Sequence, residues 1–252
     1  MTDHVLTSLK DGVLSLQLNR PEKKNALTDA MYAALADGLE RADTDPEVAV
    51  VLISSTNDAF TAGNDIADFA AVATGAVKVQ ERNVGRFLDR LTRLQAPLVA
   101  AVPGLAIGVG TTMLLHCDLV LMADSASLAT PFVDLALVPE AASSLLLPGR
   151  IGHARAFAMF ALSERVSAGD ALAMGLANRV VPRGELAAAA EAATRALAAK
   201  PRNALRQTKR LMRDGERLRA QMASENEIFS AQLKSPEAQQ AFAAFAARSN
   251  KG

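Results

Sequence analysis

The sequence predicts an α/β core followed by a helical lobe. Two observations carry that expectation. Over residues 1–130 short apolar runs alternate with segments of helical period, and from about residue 139 helix-forming segments follow one another. A third bounds the size: 252 residues, half of them apolar and 21% charged, match an ordinary globular chain. Such a chain buries roughly 70–75% of its unfolded surface and needs no disulfide or metal to hold it. The expected division is a core over residues 1–190 and a helical lobe over 191–252.

The elements follow in order. Residues 5–9 and 13–18 read as strands flanking Lys10-Asp11-Gly12, and Asp-Gly is a strong hairpin signal. After a polar loop, Thr28 is placed to cap a helix with Met31, Leu35, Gly38, Leu39 and Ala42 on one face. Residues 48–54 form a near-continuous apolar strand, so both its faces should be covered. In 77–94 the spacing of Val84, Phe87, Leu88, Leu91 and Leu94 predicts an amphipathic helix. Two more buried strands are expected at 98–102 and 119–122. Helices are then predicted at 141–147, 154–162, 168–174, 185–199, 204–212, 216–233 and 237–248. Ser167 and Asp170 open the 168–174 helix in near capping-box spacing and Gly175 closes it.

Composition removes several classes of function. Lys+Arg 27 against Asp+Glu 27 leaves no net charge, so nucleic acid is not an expected partner. The single Cys117 excludes an internal disulfide and any cysteine-cluster metal site, and fits a reducing, cytoplasmic setting. With nine Phe, one Tyr and no Trp, aromatic stacking on bases or sugars is not expected. The amino-terminal residues lack a signal-peptide pattern and the carboxyl-terminal ones an address or lipidation box. Residues 94–117 carry no Asp, Glu, Lys or Arg, yet Pro97, Pro103, Gly104, Gly108 and Gly110 punctuate them. They read as strand, turn and buried helix rather than a membrane span.

Three segments offer chemistry. Phe60-Thr61-Ala62-Gly63-Asn64-Asp65-Ile66 follows a strand and can turn free backbone N–H groups outward. Read from its residues alone, it is more simply a helix start capped by Asn64 or Asp65. The segment from Pro103 to Thr112 holds Gly108-Val109-Gly110 but lacks the Lys-Ser/Thr of a Walker loop and the third glycine of a dinucleotide fingerprint. Two such turns, each giving one N–H, would hold a developing oxyanion. In the third, Glu140 sits in an apolar stretch after Val138-Pro139. There a carboxyl has a raised pKa and can serve as a general base, or it is simply a first-turn glutamate favoured by the helix dipole. Asp134 is a possible second acid. His4, His116 and His153 have no metal-ligand spacing, and Cys117 beside His116 reads as a small buried residue.

Taken together these segments resemble the crotonase (enoyl-CoA hydratase/isomerase) superfamily over nearly the whole chain. The resemblance runs from Asn19-Arg20-Pro21 and Asn25-Ala26-Leu27 through Ala62-Gly63-Asn64-Asp65-Ile66 and the glycine turn. It continues to Met174-Gly175-Leu176, Lys200-Pro201 and Lys209. It implies a superhelix of ββα units with a helical lobe that trimerises, often into a dimer of trimers, an acyl-CoA thioester as substrate, and no metal or redox cofactor. By the same resemblance the N–H groups of Ala62 and Val109 form the oxyanion hole. Ala26, Gly63, Asn64, Asp65 and Ile66 line the CoA arm, and Lys23 or Lys24 meets its phosphates.

Departures from the pattern sharpen it. Hydratases of this superfamily use two glutamates, and the resemblance puts Thr112 and Phe132 at those places, with Phe132 along the substrate site. Val138-Pro139-Glu140 instead resembles the peroxisomal-type Δ3,Δ2-enoyl-CoA isomerases, where one glutamate does the work. The expected activity is a double-bond shift from 3-enoyl- to trans-2-enoyl-CoA in fatty-acid or aromatic-acid catabolism. A hydratase and a non-catalytic acyl-CoA-binding homologue are the alternatives.

Overall fold

The computed structural model describes residues 3–65 and 82–249. Strands β1 (Val5–Lys10) and β2 (Val13–Leu18) form the expected antiparallel hairpin, Lys10 opposite Val13. Asp11 and Gly12 between them both have positive φ, the two-residue turn that suits strand twist. Along β2 the pleat puts Leu14, Leu16 and Leu18 into the core and Val13, Ser15 and Gln17 on the other face. Helix α1 (Asp29–Thr44) starts where Thr28 Oγ1 accepts from the Met31 N–H at 3.3 Å, and its five predicted inward residues are all buried.

Strand β3 (Val50–Ser55), helix α2 (Asn83–Arg93) and strand β4 (Leu98–Val102) follow. Residues 77–81 of the predicted helix lie outside the described residues; Phe87, Leu88 and Leu91 are buried as its spacing requires. Next come β5 (Leu105–Ile107), the short α3 (Val109–Thr112) running into a 3-10 turn (Met113–His116), and β6 (Leu119–Ala123). Then β7 (Ser127–Ala129), α4 (Ser143–Ile151), α5 (His153–Ala161), β8 (Val166–Ser167), α6 (Ala168–Met174) and β9 (Arg179–Val181) complete the core's strands. Four helices close the chain: α7 (Leu186–Ala198), α8 (Arg202–Met212), α9 (Gly215–Leu233) and α10 (Pro236–Ser249).

The larger sheet has the order β1-β2-β3-β4-β6-β9, parallel throughout except for the hairpin. A second sheet, β5-β7-β8, pairs β5 and β7 in parallel. Strands β5, β7, β8 and β9 escape the sequence reading because two or three residues are too few to show a period. Strand β4 is buried along its whole length, as a central parallel strand should be.

The division at residue 190 falls inside α7. That helix packs Leu186 and Ala190 into the main apolar core, so it belongs with the sheet and not with a separate lobe. The core reaches on to Leu218 and Met222 of α9, while α10 joins a small second cluster made of Phe132, Leu137, Leu233, Ala238 and Phe242. Among the described residues no helix is long and apolar enough to cross a membrane.

Candidate active site

The segments after β3 and β4 meet at the carboxyl ends of parallel strands, where α/β folds place their ligands. Thr61 bridges Ala106, and the Ile107 N–H donates to the Thr61 carbonyl at 3.0 Å. Gly63 lies at φ +91°, and a Cβ there would stand 2.9 Å from the Ile107 carbonyl oxygen, so no larger residue fits without movement. The loop before α1 braces the junction from below. Asn25, fully buried, accepts from the Arg20 N–H at 2.7 Å and donates to the Ala59 and Phe60 carbonyls at 3.0 Å. Arg20 also reaches Asp65 at 2.6 Å, which makes Asp65 a structural anchor of the turn.

This geometry corrects one expected oxyanion donor. The Ala62 N–H donates to the Lys24 carbonyl at 2.9 Å and is engaged. Two residues on, the parallel bridge between Leu27 and Asn64 uses the Gly63 carbonyl and the Asp65 N–H. A parallel bridge of that kind turns the central residue's own N–H away, and Asn64's meets no protein acceptor among the described residues. Its side chain is fixed by the Tyr32 hydroxyl, which donates to Oδ1 at 2.5 Å. Val109 is the first residue of α3, and its N–H is one that no helix turn precedes. Gly108 before it takes φ 56° and ψ −119°, so the conformation only glycine adopts easily falls there and Val109 keeps an ordinary backbone.

Glu140 is 7% exposed and lies just ahead of α4, not in its first turn. The Thr112 hydroxyl donates to its Oε1 at 2.5 Å. Burial raises its pKa to about 7, opposed by the Thr112 bond and assisted by the negative charge of Glu225. The turn after it is unusual. Ala141 and Ala142 have φ 60° and 56°, a left-handed pair that costs about 1–2 kcal/mol per residue. Side chains from distant parts of the chain hold it there. His116 Nε2 bonds the Ala141 carbonyl at 2.7 Å, and Glu225 of α9 accepts from the Ala142 and Ser144 N–H groups at 2.6 and 2.9 Å. Burial, with Arg213 beside it, drives the His116 pKa down to about 3, so the ring is neutral: Nε2–H donates and Nδ1 accepts from Arg213.

A cavity of about 680 Å³ opens between α1, α2 and α9, with Asn64, Tyr32 and Glu140 in its wall. Leu27, Leu88, Phe229 and Leu233 make it largely apolar, and Arg82 and Arg86 bring charge to its lining. A second cleft of about 570 Å³ lies against β1–β3 and α7, and its charged residues are all exposed.

Several expected residues stand elsewhere. Lys23 and Lys24 are exposed and do not line the cavity; Ala26 is half-buried, and its carbonyl is bound by Arg20. Phe132 is buried in the α10 cluster behind Leu233 rather than facing the cavity. Ile66 lies outside the described residues. Asp134 is exposed in a 3-10 turn and supplies no second acid. His116 and Cys117 form no pair: the thiol is pushed up to about 12 by burial and rests on the Met113 carbonyl. Among the described residues no three His, Cys, Asp or Glu side chains converge as a metal site. Glu225, Tyr32, Arg82 and Arg86 were not legible beforehand, because nothing in their neighbouring residues points to this cavity.

The enoyl-CoA hydratase/isomerase pattern matches residues 8–251. A 1,2-epoxyphenylacetyl-CoA isomerase of Escherichia coli (strain K12) is 35% identical over 205 residues, 80% of this chain and 78% of that one. The human enoyl-CoA delta isomerase 2 is 33% identical over 98% of this chain, which spans 64% of the human protein's length. A crystal structure of an enoyl-CoA hydratase/isomerase from Pseudoalteromonas atlantica T6c superposes with a TM-score of 0.92 at 43% identity, covering 98% of each chain. With its crotonase-type α/β core and its paired turns beside a buried glutamate, this chain belongs to the enoyl-CoA hydratase/isomerase family.

Proposed function

We propose that the protein shifts a double bond in an acyl-CoA thioester from the 3,4 to the 2,3 position, with Glu140 as sole proton carrier. The observation that carries the reading is a buried cavity-facing carboxylate poised near pH 7, with Thr112 where hydratases keep a second glutamate; of the other carboxylates in the lining, Asp65 is ion-paired with Arg20 and Glu227 is exposed. A group that must first take a proton and then return it works best with a pKa close to the working pH. Thr112 occupies Oε1, which leaves Oε2 for the transfer.

The step balances without a co-reactant. Oε2 removes a proton from C2 of the 3-enoyl thioester, and the electron pair passes into a dienolate whose oxygen sits between the Asn64 and Val109 N–H groups. Protonated Glu140 then returns the proton at C4, and the 2-enoyl thioester is released. Each oxyanion donor contributes about 3 kcal/mol to lowering the barrier. The apolar lining suits an acyl chain, and its cations, Arg82 paired with Asp29 and Arg86 paired with Asp37 and Glu40, are the groups assigned to the phosphates of the CoA arm. The same reading makes the protein a homotrimer or a dimer of trimers, supported by Leu211, Met212 and Ile228, which α8 and α9 leave exposed.

The test is turnover of trans-3-hexenoyl-CoA, followed by the absorbance of the conjugated product, with crotonyl-CoA hydration in parallel. Isomerisation without hydration is expected, and Glu140→Ala should lower it by a factor of about 10²–10⁴ while acyl-CoA still binds. Dominant hydration, or a folded Glu140→Ala variant with native turnover, overturns the reading. Binding of the thioester with neither reaction would favour an acyl-CoA-binding scaffold.

A further inference from the structure

We infer that Glu225, on α9, is a positioning residue for the Glu140 carboxylate. Its side chain is 4% exposed, and both oxygens are committed to the turn that follows Glu140. Oε2 accepts from the Ala142 N–H at 2.6 Å; Oε1 accepts from the Ser144 N–H at 2.9 Å and from the Ser144 hydroxyl. Gln221, one turn earlier on the same helix, donates to Ser144 Oγ at 2.9 Å. One carboxylate thus fastens three donors at the start of α4, where the helix dipole also favours negative charge.

The reason lies in the backbone. Two successive alanines in the left-handed region revert to commoner conformations unless something holds them. Reversion would swing Glu140 away from Thr112 and the cavity, since the turn begins at the residue directly after it. His116 and Glu225 hold the turn from opposite directions, one at the Ala141 carbonyl and one at the Ala142 N–H. The helix that supplies Glu225 also supplies Asn226, Phe229 and Ser230 to the cavity wall, so the clamp and the acyl-binding surface are one rigid element.

The charge acts too. Burial does most to raise the Glu140 pKa, the Thr112 bond opposes it, and the nearby Glu225 carboxylate adds a smaller upward push. Of the other charged groups near this turn, Arg213 faces His116, which is neutral. Removing the Glu225 charge therefore lowers the Glu140 midpoint.

The inference rests on Glu140 being the base, and the experiment separates the two. Glu225→Gln and Ser144→Ala are compared with the native protein in kcat, KM, pH profile and Glu140 titration, the last by carbon NMR of labelled glutamate assigned with Glu140→Gln. For Glu225→Gln, kcat should fall about tenfold to a hundredfold with KM little changed, and the Glu140 midpoint should move to lower pH. Adding Ala142→Gly, which relaxes the left-handed strain, should restore part of the lost kcat, and urea unfolding of both variants separates this from stability, since recovery must occur between proteins that are each fully folded under the assay conditions. Native kcat or an unmoved Glu140 midpoint overturns the inference. If the native protein does not isomerise 3-enoyl-CoA, the proposed function fails and the NMR midpoint alone decides on Glu225. Should Glu225→Gln not fold, Ser144→Ala decides: it keeps the charge, so a lower kcat at an unshifted midpoint supports positioning, and native kcat overturns it.

Discussion

At the scale of single residues, Glu140 carries a conflict between stability and chemistry. Its pKa of about 7 in the folded chain exceeds the ordinary 4.5, so the folded state holds a proton that the unfolded state has released between those values. Stability from the neutral carboxyl is complete below about pH 4.5 and disappears as pH rises through 7. The proposed isomerisation needs the opposite, the ionised form, so on that reading kcat/KM should rise through about pH 7. Glu140→Gln cannot ionise. Its stability relative to the native protein should therefore grow between pH 5 and pH 8, by on the order of 3 kcal/mol. Urea unfolding at several pH values measures this, and a difference that stays constant with pH would exclude a Glu140 carboxyl whose pKa is raised by burial.

Elements impose a second kind of constraint, seen in the two turns that present the N–H donors. Gly63 and Gly108 both have positive φ, but only Gly63 is also closed in by a neighbour, the Ile107 carbonyl oxygen; an added Cβ at Gly108 meets nothing within 4 Å. Gly108→Ala should cost about 1–2 kcal/mol of backbone strain, and Gly63→Ala more, because a contact is added to the strain. Under the proposed mechanism both should lower kcat by up to about 10²–10³, since each would displace one oxyanion donor. Unfolding midpoints rank the two stabilities. Native turnover in either variant would remove that turn from the mechanism.

Across the whole molecule, long-range polar ties fasten the terminal helices to the sheet. Lys209 of α8 is buried, and its Nζ donates to the Ala96 carbonyl and to Asp118 Oδ2, both at 2.7 Å. The same Asp118 oxygen accepts from the Leu98 N–H at the start of β4. Lys209→Met keeps the apolar stem but leaves that carboxylate without its cation. Because Asp118 is one-third exposed, the loss should be about 2–3 kcal/mol rather than the full cost of a buried unpaired charge. A shift in the urea midpoint reads it, and an unchanged midpoint would mean that α8 is held by packing alone.

The local features were legible in the sequence because short stretches of chain encode them. Leu14, Leu16 and Leu18 alternate into the core, Thr28 and Ser167 cap the helices they precede, and Glu140 stands in an apolar run. Family resemblance added the expectation of two N–H donors, Ala62 and Val109, and one base, Glu140. What tertiary structure decided is which atoms are free. Ala62 loses its N–H to Lys24 while Asn64 keeps its own, a choice made by how the segment pairs with Leu27 and not by its composition. Likewise Glu225 meets Ala142 from 83 residues away. Side-chain period and capping chemistry act over a few residues and can be read along the chain. Hydrogen-bond partners brought together by folding leave no such local trace, and it is they that aim the Glu140 carboxylate at the cavity.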